Sequence, residues 1–294
     1  MSWVVIENNL LTIGITIIAL VGAVIGFQLG LGVFAKQHGF LTMIKTLSLT
    51  KYFGKLCAVD ALTLEVNAGE IFGFLGPNGA GKTTTINMLT GLLRPTSGTA
   101  TLGGYDIQKQ SLQAKAILGL MPDTPQLYEA LSGRQFVRMI ADLYEVPPEQ
   151  AENEMGVLLE QLELVDAADD QIKGYSYGMQ KKILLISILV HHPRILFLDE
   201  PTSGLDPRSA RTVRQILRER CERGSTVFMT THILEIAERI CDRVGIISKG
   251  RLIAVGTLAE LQQKKQEDHG PLVGGGQDRT ETLEDIFLDL TADI

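Results

Sequence analysis

The pattern of hydrophobic positions begins with one long apolar segment. Residues 10–34 are almost continuously apolar, and Gln28 is the one strongly polar side chain among them. As a helix this segment is about 37 Å long, which exceeds the roughly 30 Å hydrocarbon core of a membrane. Glu7 is the one charged side chain before it, and Lys36 is the first of several lysines after it. We therefore predict a transmembrane helix within residues 1–42, with its C-terminal side on the cytoplasmic face of the cell membrane.

Three glycines within this apolar segment, Gly22, Gly26 and Gly30, recur at intervals of four residues. This spacing gives a helix a smooth face for close packing against another helix, although glycine is also common in membrane helices generally. Both interpretations stay open, as does the alternative that the working protein starts at Met43. A cleaved signal peptide fits less well, because no basic segment precedes the apolar run.

The central part of the chain alternates strand and helix signals. Residues 71–75 form a short apolar run typical of a buried strand, and the helix signals that follow end at Gly91. Ser132 and Gln135 have the spacing of a capping box, and a second helix begins at Pro147-Pro148. The pattern predicts an α/β fold with a helical region near residues 123–178.

The C-terminal part predicts a linker and a short helix. Residues 262–281 are polar and include a Gly-Pro pair and a run of glycines, which indicates a flexible linker. In residues 282–294, apolar side chains from Leu283 to Leu290 follow the i, i+3, i+4, i+7 spacing of one helix face. We expect this helix to pack on its own domain; a regulatory or dimer-contacting role is the alternative.

Composition narrows the class of protein. The 294 residues are 45% apolar and 21% charged, which suits a sizeable buried core. The net charge of −7 argues against nucleic acid as the main partner, since phosphate backbones are bound by clustered lysines and arginines. Three cysteines lie far apart and form no zinc spacing with the histidines, so we expect free thiols.

The strongest chemical signal is residues 76–83, GPNGAGKT, which match the pattern GxxxxGK[ST]. Glycines let consecutive backbone N–H groups surround phosphate oxygens, and the following helix N-terminus adds partial positive charge. We expect Lys82 to contact the β- and γ-phosphates of ATP, and the Thr83 hydroxyl to bind Mg²⁺. The residues predicted to bind the nucleotide here are Gly76, Pro77, Asn78, Gly79, Ala80, Gly81, Lys82, Thr83 and Thr84.

A second signal is an acidic pair at the end of a predicted strand. Residues 194–200 read RILFLDE, and their apolar run is typical of a parallel strand covered on both faces. Ligands of open α/β sheets bind at the carboxyl ends of the strands, where this segment places Asp199 and Glu200. We expect Asp199 to hold the Mg²⁺ shell and Glu200 to polarise an attacking water.

These motifs, in this order, resemble the nucleotide-binding subunits of ATP-binding cassette (ABC) transporters over nearly all of residues 43–290. The resemblance implies an α/β P-loop NTPase core within an ATPase domain at residues 43–261. It also implies an antiparallel β-subdomain near residues 43–70 and a helical subdomain near residues 123–178. Gly204-Leu205-Asp206 resembles the D-loop of the family. His232 resembles the switch histidine that contacts the γ-phosphate, which makes it a catalytic candidate beside Glu200 and Lys82.

Residues 175–179, YSYGM, stand where the family has its LSGGQ signature. Ser176 and Gly178 match, whereas Tyr177 and Met179 replace Gly and Gln. In the family this motif caps the ATP of the other subunit, which implies a head-to-tail homodimer or pseudo-dimer of cassettes. A hydroxyl and a backbone N–H ahead of a helix suit that task.

Two further positions keep alternatives open. Asp123 stands where many family members have a glutamine that bridges Mg²⁺ and the membrane-domain contact; it either binds Mg²⁺ through water or begins the turn at Pro125. The family stacks adenine on an aromatic ring before the first strands, where Phe53 aligns best and Tyr52 is its neighbour.

The terminal TLEDIFL segment and the YSYGM variant resemble the ABC-2 branch of exporters. The resemblance implies an ATPase that powers an exporter together with a separate multispanning membrane permease. The alternative is a membrane-tethered regulatory ATPase, which the predicted N-terminal span favours because one span cannot form a translocation path.

Overall fold

The computed structural model describes residues 42–269 and 282–292. The transmembrane helix predicted at residues 10–34 lies outside these residues. Among the helices that are described, none combines the length and the apolar character needed to cross a membrane.

Ten β-strands and nine α-helices make up the described residues. The strands are β1 (Thr42–Phe53), β2 (Leu56–Asn67), β3 (Ile71–Leu75), β4 (Ser97–Leu102), β5 (Tyr105–Asp106), β6 (Leu118–Met121), β7 (Ile195–Asp199), β8 (Thr226–Thr231), β9 (Arg243–Ser248) and β10 (Arg251–Gly256). The helices are α1 (Lys82–Leu89), α2 (Ser111–Ala116), α3 (Gly133–Leu143), α4 (Pro148–Gln161), α5 (Tyr177–Leu189), α6 (Pro207–Glu222), α7 (Leu234–Ile240), α8 (Leu258–His269) and α9 (Leu283–Ala292), with a 3-10 turn at Ile172–Gly174.

The strands form two sheets. One is antiparallel, in the order β2-β1-β4-β5, and the other has six strands in the order β10-β9-β3-β8-β7-β6. In the second sheet every pairing is parallel except that of β10 with β9. The predicted antiparallel unit near residues 43–70 is therefore larger than expected, because β4 and β5 return later in the chain to extend it.

The register of the parallel strands determines where the predicted site residues lie. Leu75 at the end of β3 pairs with Thr231 at the end of β8, and Asp199 at the end of β7 pairs with Thr230. Since the strands are parallel, the segments that follow them leave the sheet at one edge. The phosphate loop, the acidic pair and His232 therefore meet there.

Phenylalanines fill the space on one face of the parallel sheet. Phe72, Phe74 and Phe197 each lie 5.3–5.6 Å, between ring centroids, from Phe228, and all four are fully buried. Burial of this kind stabilises by roughly 1.5–3 kcal/mol for each large apolar side chain, which makes these central strands a rigid support for the loops that follow them.

The predicted helix starts are confirmed. The Ser132 side chain accepts from the Gln135 backbone N–H, while the Gln135 side chain accepts from the Ser132 backbone N–H, which completes the capping box of α3. Helix α4 begins at Pro148, after Pro147. Helix α5 begins at Tyr177, directly after Ser176, whose side chain caps it.

The C-terminal helices confirm one prediction and correct another. Leu283 and Ile286 of α9 are fully buried beside Leu75 and Leu261, so this helix packs on its own domain as expected. The linker predicted from residue 262 is wrong in its first part, since α8 continues to His269. Reciprocal hydrogen bonds between Thr257 and Glu260 start α8, and the Gln, Lys and Glu residues that follow favour helix.

A stacked histidine gives the fold a dependence on pH. The rings of His191 and Tyr144 lie 3.7 Å apart between centroids and are tilted by only 6°. Burial lowers the pKa of His191 from 6.5 to about 4. Because the unfolded chain then binds a proton that the folded chain does not, stability falls as the pH drops from 6.5 towards 4.

We expect the substitution His191→Phe to remove about 2 kcal/mol of this acid destabilisation at pH 4.5, because phenylalanine keeps the stack but does not titrate. Chemical denaturation of the parent and the variant at pH 7 and pH 4.5 measures the effect. Other acid-sensitive groups are common to both proteins, so the difference between them isolates His191. Equal losses of stability in the two proteins would contradict the prediction.

Candidate functional site

The phosphate loop joins β3 to α1 and is shaped by its glycines. Gly79 and Gly81 have positive φ angles of 80° and 110°, which favour glycine. A Cβ on Gly76 would lie 2.3 Å from the Ile247 carbonyl oxygen, and one on Gly81 would lie 2.5 Å from the Ala58 carbonyl oxygen. The loop is therefore pressed against neighbouring backbone on two sides.

Lys82 folds back over this loop. Its ammonium group donates hydrogen bonds to the carbonyl oxygens of Gly76, at 2.7 Å, and Pro77, at 3.1 Å. Burial lowers the pKa of Lys82, and the carboxylates of Glu200 and Asp199 partly oppose that shift. The side chain thus places a positive charge at the mouth of the loop.

The first residues of α1 connect to the acidic strand end. The Thr83 hydroxyl donates to Asp199 Oδ2 at 2.9 Å, and the Thr230 hydroxyl donates to Asp199 Oδ1. The hydroxyl of Thr230 also lies 3.3 Å from the backbone nitrogen of Glu200. Hydroxyl groups from α1 and β8 therefore hold the carboxylate at the end of β7, and Asp199 is only 6% exposed.

Glu200 follows β7 in an unusual backbone conformation. Its φ angle is 51°, in the left-handed region that costs a non-glycine residue roughly 1–2 kcal/mol. The conformation turns its carboxylate towards His232, whose Nδ1 lies 2.7 Å from Glu200 Oε1. The carboxylate is 14% exposed and the imidazole 57%, so the pair lies where the site opens to solvent.

A cleft of about 560 Å³ collects these residues. Its lining includes Asn78, Gly79, Gly81, Lys82, Thr83, Thr84, Asp123, Asp199 and Glu200 among the predicted site residues. Gly76, Pro77 and Ala80 belong to the loop but not to this lining. His232 contacts the cleft through its hydrogen bond to Glu200.

The cleft ends on the hairpin between β1 and β2. Phe53 lines it, together with Leu56 and Cys57. The Tyr52 hydroxyl is directed towards the Cys57 thiol, which raises the pKa of that tyrosine. The structure thus brings Phe53, and not Tyr52, to the cleft; a stacking role for Phe53 stays a prediction.

The predicted signature residues lie elsewhere. Ser176 is exposed, and its hydroxyl accepts from the Met179 backbone N–H at 3.3 Å as the cap of α5. Neither Ser176 nor Gly178 lines the cleft of its own chain. This placement is compatible with the expectation that they face the nucleotide of a second cassette.

Several residues around the site were missed from the sequence. Thr230 precedes the predicted switch histidine and holds Asp199, and Lys181 on α5 reaches the Asp123 carboxylate. The Gly250 backbone N–H donates to the Ala80 carbonyl oxygen at 2.9 Å, which ties the β9–β10 turn to the phosphate loop. No local signal distinguishes Lys181 from the adjacent Lys182, which also precedes the apolar stretch of α5.

Together, the glycine loop on a helix N-terminus, the lysine folded over it and the acidic strand end define a P-loop nucleotide hydrolase. A family model described as "ABC transporter" matches residues 59–203. The chain is 37% identical over 219 residues to the linearmycin resistance ATP-binding protein LnrL of Bacillus subtilis, covering 74% of this chain and 70% of that protein. It is 40% identical over 219 residues to the daunorubicin/doxorubicin resistance ATP-binding protein DrrA of Streptomyces peucetius, covering 74% and 66%.

A solved structure described as the ATP-binding subunit of an ABC transporter superposes with a TM-score of 0.78 at 27% identity, covering 85% of this chain and 99% of that one. The chain belongs to the ABC transporter family. It is the ATP-binding and ATP-hydrolysing subunit of such a transporter.

Proposed function

We propose that this subunit powers an exporter of the ABC-2 type by closing with a second cassette on two molecules of ATP. The observation that carries this proposal is the convergence of Lys82, Thr83, Asp199 and Glu200 on one cleft beside the phosphate loop. The drug-resistance names of LnrL and DrrA support export over the regulatory alternative. Which compound crosses the membrane is a property of the permease.

Nucleotide phosphates would bind on the loop between β3 and α1. The backbone N–H groups of residues 78–83 and the helix N-terminus favour negative charge there. Lys82 would exchange its carbonyl contacts for phosphate oxygens, which are stronger acceptors because they are charged. Phe53 would stack on the adenine at the other end of the cleft.

The donor set beside the loop fits Mg²⁺. The Thr83 hydroxyl and Asp199 carboxylate are hard oxygen ligands, and their 2.9 Å separation matches neighbouring ligands of an octahedral ion with bonds of about 2.0–2.1 Å. When bound, the ion would neutralise charge on the β- and γ-phosphates. Asp123 lines the same cleft and would contact the ion through water.

Glu200 would orient and polarise the attacking water. Its carboxylate lies at the carboxyl end of β7, next to the lysine and the Asp199 carboxylate. The hydrogen bond to His232 directs one oxygen, which leaves the other for water, and His232 would contact the γ-phosphate. Positioning and electrostatic stabilisation would supply most of the rate acceleration.

The second cassette would complete each site. Ser176 and Gly178 lie at the exposed start of α5, where a hydroxyl and backbone N–H groups can contact a γ-phosphate across a dimer interface. Two identical chains or two related chains would both satisfy this geometry. The bulky Tyr177 in the signature contacts the Asp123 carbonyl oxygen and the D-loop of its own chain.

The remaining organisation is proposed from the sequence. Residues 10–34 would anchor the chain in the cell membrane, and residues 43–261 would form the ATPase domain on the cytoplasmic face, with a helical subdomain at residues 123–178. A multispanning permease would be the membrane partner, and closure of the two cassettes would move it.

Purification of the full chain from membranes in mild detergent tests the transport role. We expect a multispanning membrane protein to copurify, and ATP hydrolysis by the complex to require Mg²⁺. A version that starts at Met43 separates the contribution of the N-terminal segment: if it keeps the permease, the anchor is an accessory. Hydrolysis by a chain that never associates with a multispanning protein would contradict transport and favour a regulatory ATPase.

A further inference from the structure

The first turn of α5 contacts the loop that follows β6 at two points. Tyr177 and Lys181 are four residues apart and therefore lie on the same face of the helix. The Tyr177 hydroxyl donates to the backbone carbonyl oxygen of Asp123 at 3.0 Å. The Lys181 ammonium group donates to Asp123 Oδ1 at 3.3 Å. Asp123, which lines the cleft, is thus held both by its backbone and by its side chain.

Lys181 makes a second contact that reaches Glu200. Its ammonium group donates to the Glu200 backbone carbonyl oxygen at 2.7 Å, and it lies 5.5 Å from the centroid of the Tyr177 ring. The lysine is fully buried. Burial lowers its pKa, and the nearby carboxylate of Asp123 opposes this shift. A buried ammonium group is costly unless such partners compensate it.

The Tyr177 ring also contacts the D-loop. Gly204 has a φ angle of 74°, and a Cβ added there would lie 2.6 Å from the ring. The side chain that replaces a signature glycine therefore contacts its own chain at the Asp123 carbonyl and the Gly204 backbone, while the residue stays 43% exposed. Helix α5 contacts three segments around the cleft: the Asp123 loop, the peptide after Glu200 and the D-loop.

We propose that Tyr177 and Lys181 are positioning residues for ATP hydrolysis, which hold Asp123 and the Glu200 peptide in register with the start of α5. The proposal rests on the proposed function of Glu200. If the signature at the start of α5 faces the nucleotide of a partner cassette, Tyr177 and Lys181 connect that signature to the Glu200 carboxylate of their own chain. The proposal also gives a role to Tyr177 and Asp123, two residues that differ from the family pattern.

The physical reason lies in the backbone of Glu200. Its positive φ angle is unfavourable for glutamate and is maintained only by contacts that determine it. The hydrogen bond from Lys181 restrains the orientation of the peptide that follows Glu200, and hence the direction of the carboxylate. Lys181 does not line the cleft, so its loss should affect the chemical step more than nucleotide binding.

The test is steady-state ATP hydrolysis by the purified full chain carrying Lys181→Met or Tyr177→Phe. We expect Lys181→Met to lower kcat on the order of tenfold or more, with KM and the Kd of a fluorescent ATP analogue within about twofold of the parent. We expect Tyr177→Phe, which removes one hydroxyl, to lower kcat about threefold. In the double variant the losses should be less than multiplicative, because both side chains act through Asp123.

Lys173→Met and Tyr128→Phe are matched controls, since both side chains are exposed, and we expect parent-like kcat from them. A parent-like kcat in Lys181→Met, or a Kd that weakens as much as kcat falls, would overturn the proposal. If Lys181→Met fails to fold, Tyr177→Phe decides, and an unchanged kcat overturns the proposal.

The parent and Glu200→Gln separate this proposal from the one on which it rests. If Glu200→Gln hydrolyses ATP as fast as the parent, both the assignment of Glu200 and the positioning role are wrong. If Glu200→Gln lowers kcat but Lys181→Met does not, only the positioning role is wrong.

Discussion

The variant Glu200→Gln binds ATP normally but turns it over about 100- to 1,000-fold more slowly than the parent: this is the largest effect we expect on kcat. Glutamine keeps the size of the side chain and the oxygen that faces His232, 2.7 Å away in the parent. It lacks the negative charge that would polarise water. The bound nucleotide would then persist and keep two cassettes closed on each other.

Two measurements check this expectation. Single-turnover hydrolysis gives the chemical step, and light scattering with and without ATP gives the mass of the assembly. Glu222→Gln is the matched control, because this glutamate is exposed at the end of α6. Parent-like hydrolysis by Glu200→Gln would show that another group activates the water, and the assignment of Glu200 would be wrong.

The second large effect concerns Lys82. We expect Lys82→Met to weaken ATP binding about 100-fold and to remove measurable hydrolysis at cellular ATP concentrations. Methionine fills a similar volume but has no ammonium group to exchange its contacts with Gly76 and Pro77 for phosphate oxygens. The fold should tolerate the change, because burial already disfavours the charged form of this lysine.

Titration with a fluorescent ATP analogue, together with a melting curve, separates binding from folding. Lys109→Met is the matched control for loss of a lysine, since Lys109 is exposed in the turn before α2. An affinity within about twofold of the parent would contradict a phosphate-binding role for Lys82. A large drop in melting temperature would instead show that its contacts with the loop stabilise the fold.

The expected effects of Lys82→Met and Glu200→Gln separate nucleotide binding from hydrolysis. Lys82 belongs to the loop that would bind phosphates in every state, whereas Glu200 would act on the attacking water. The structure places them in one cleft through parallel strands whose ends coincide, as the pairing of Asp199 with Thr230 shows. Binding and turnover should therefore respond separately to substitution.

Much of this site could be predicted from the sequence because its chemistry is local. The phosphate loop needs glycines and a lysine at fixed spacing, so residues 76–83 indicate it without any tertiary information. The strand at Ile71–Leu75 and the cap at Ser132 are likewise local, since burial periodicity and capping act within a few residues. The structure places each of them where the pattern predicts.

Other features depend on residues that are distant in the chain. Strands β4 and β5 join the antiparallel sheet through pairing with β1, which no local pattern specifies. The choice between Phe53 and Tyr52 depends on which face of the hairpin meets the phosphate loop. The helical start of the predicted linker depends partly on Leu261, which is buried in a cluster that also includes Leu283.

Lys181 shows which features the sequence indicates and which only the tertiary structure decides. Sequence alone indicated a nucleotide site, predicted which residues bind phosphate, and determined which acidic residues follow the strand, because those requirements are met within short segments. Only the tertiary structure decided that a lysine 58 residues beyond Asp123 reaches its carboxylate and the Glu200 peptide as well. The physical reason is that a buried charge is stabilised by whichever partners the packing of separate elements brings to it.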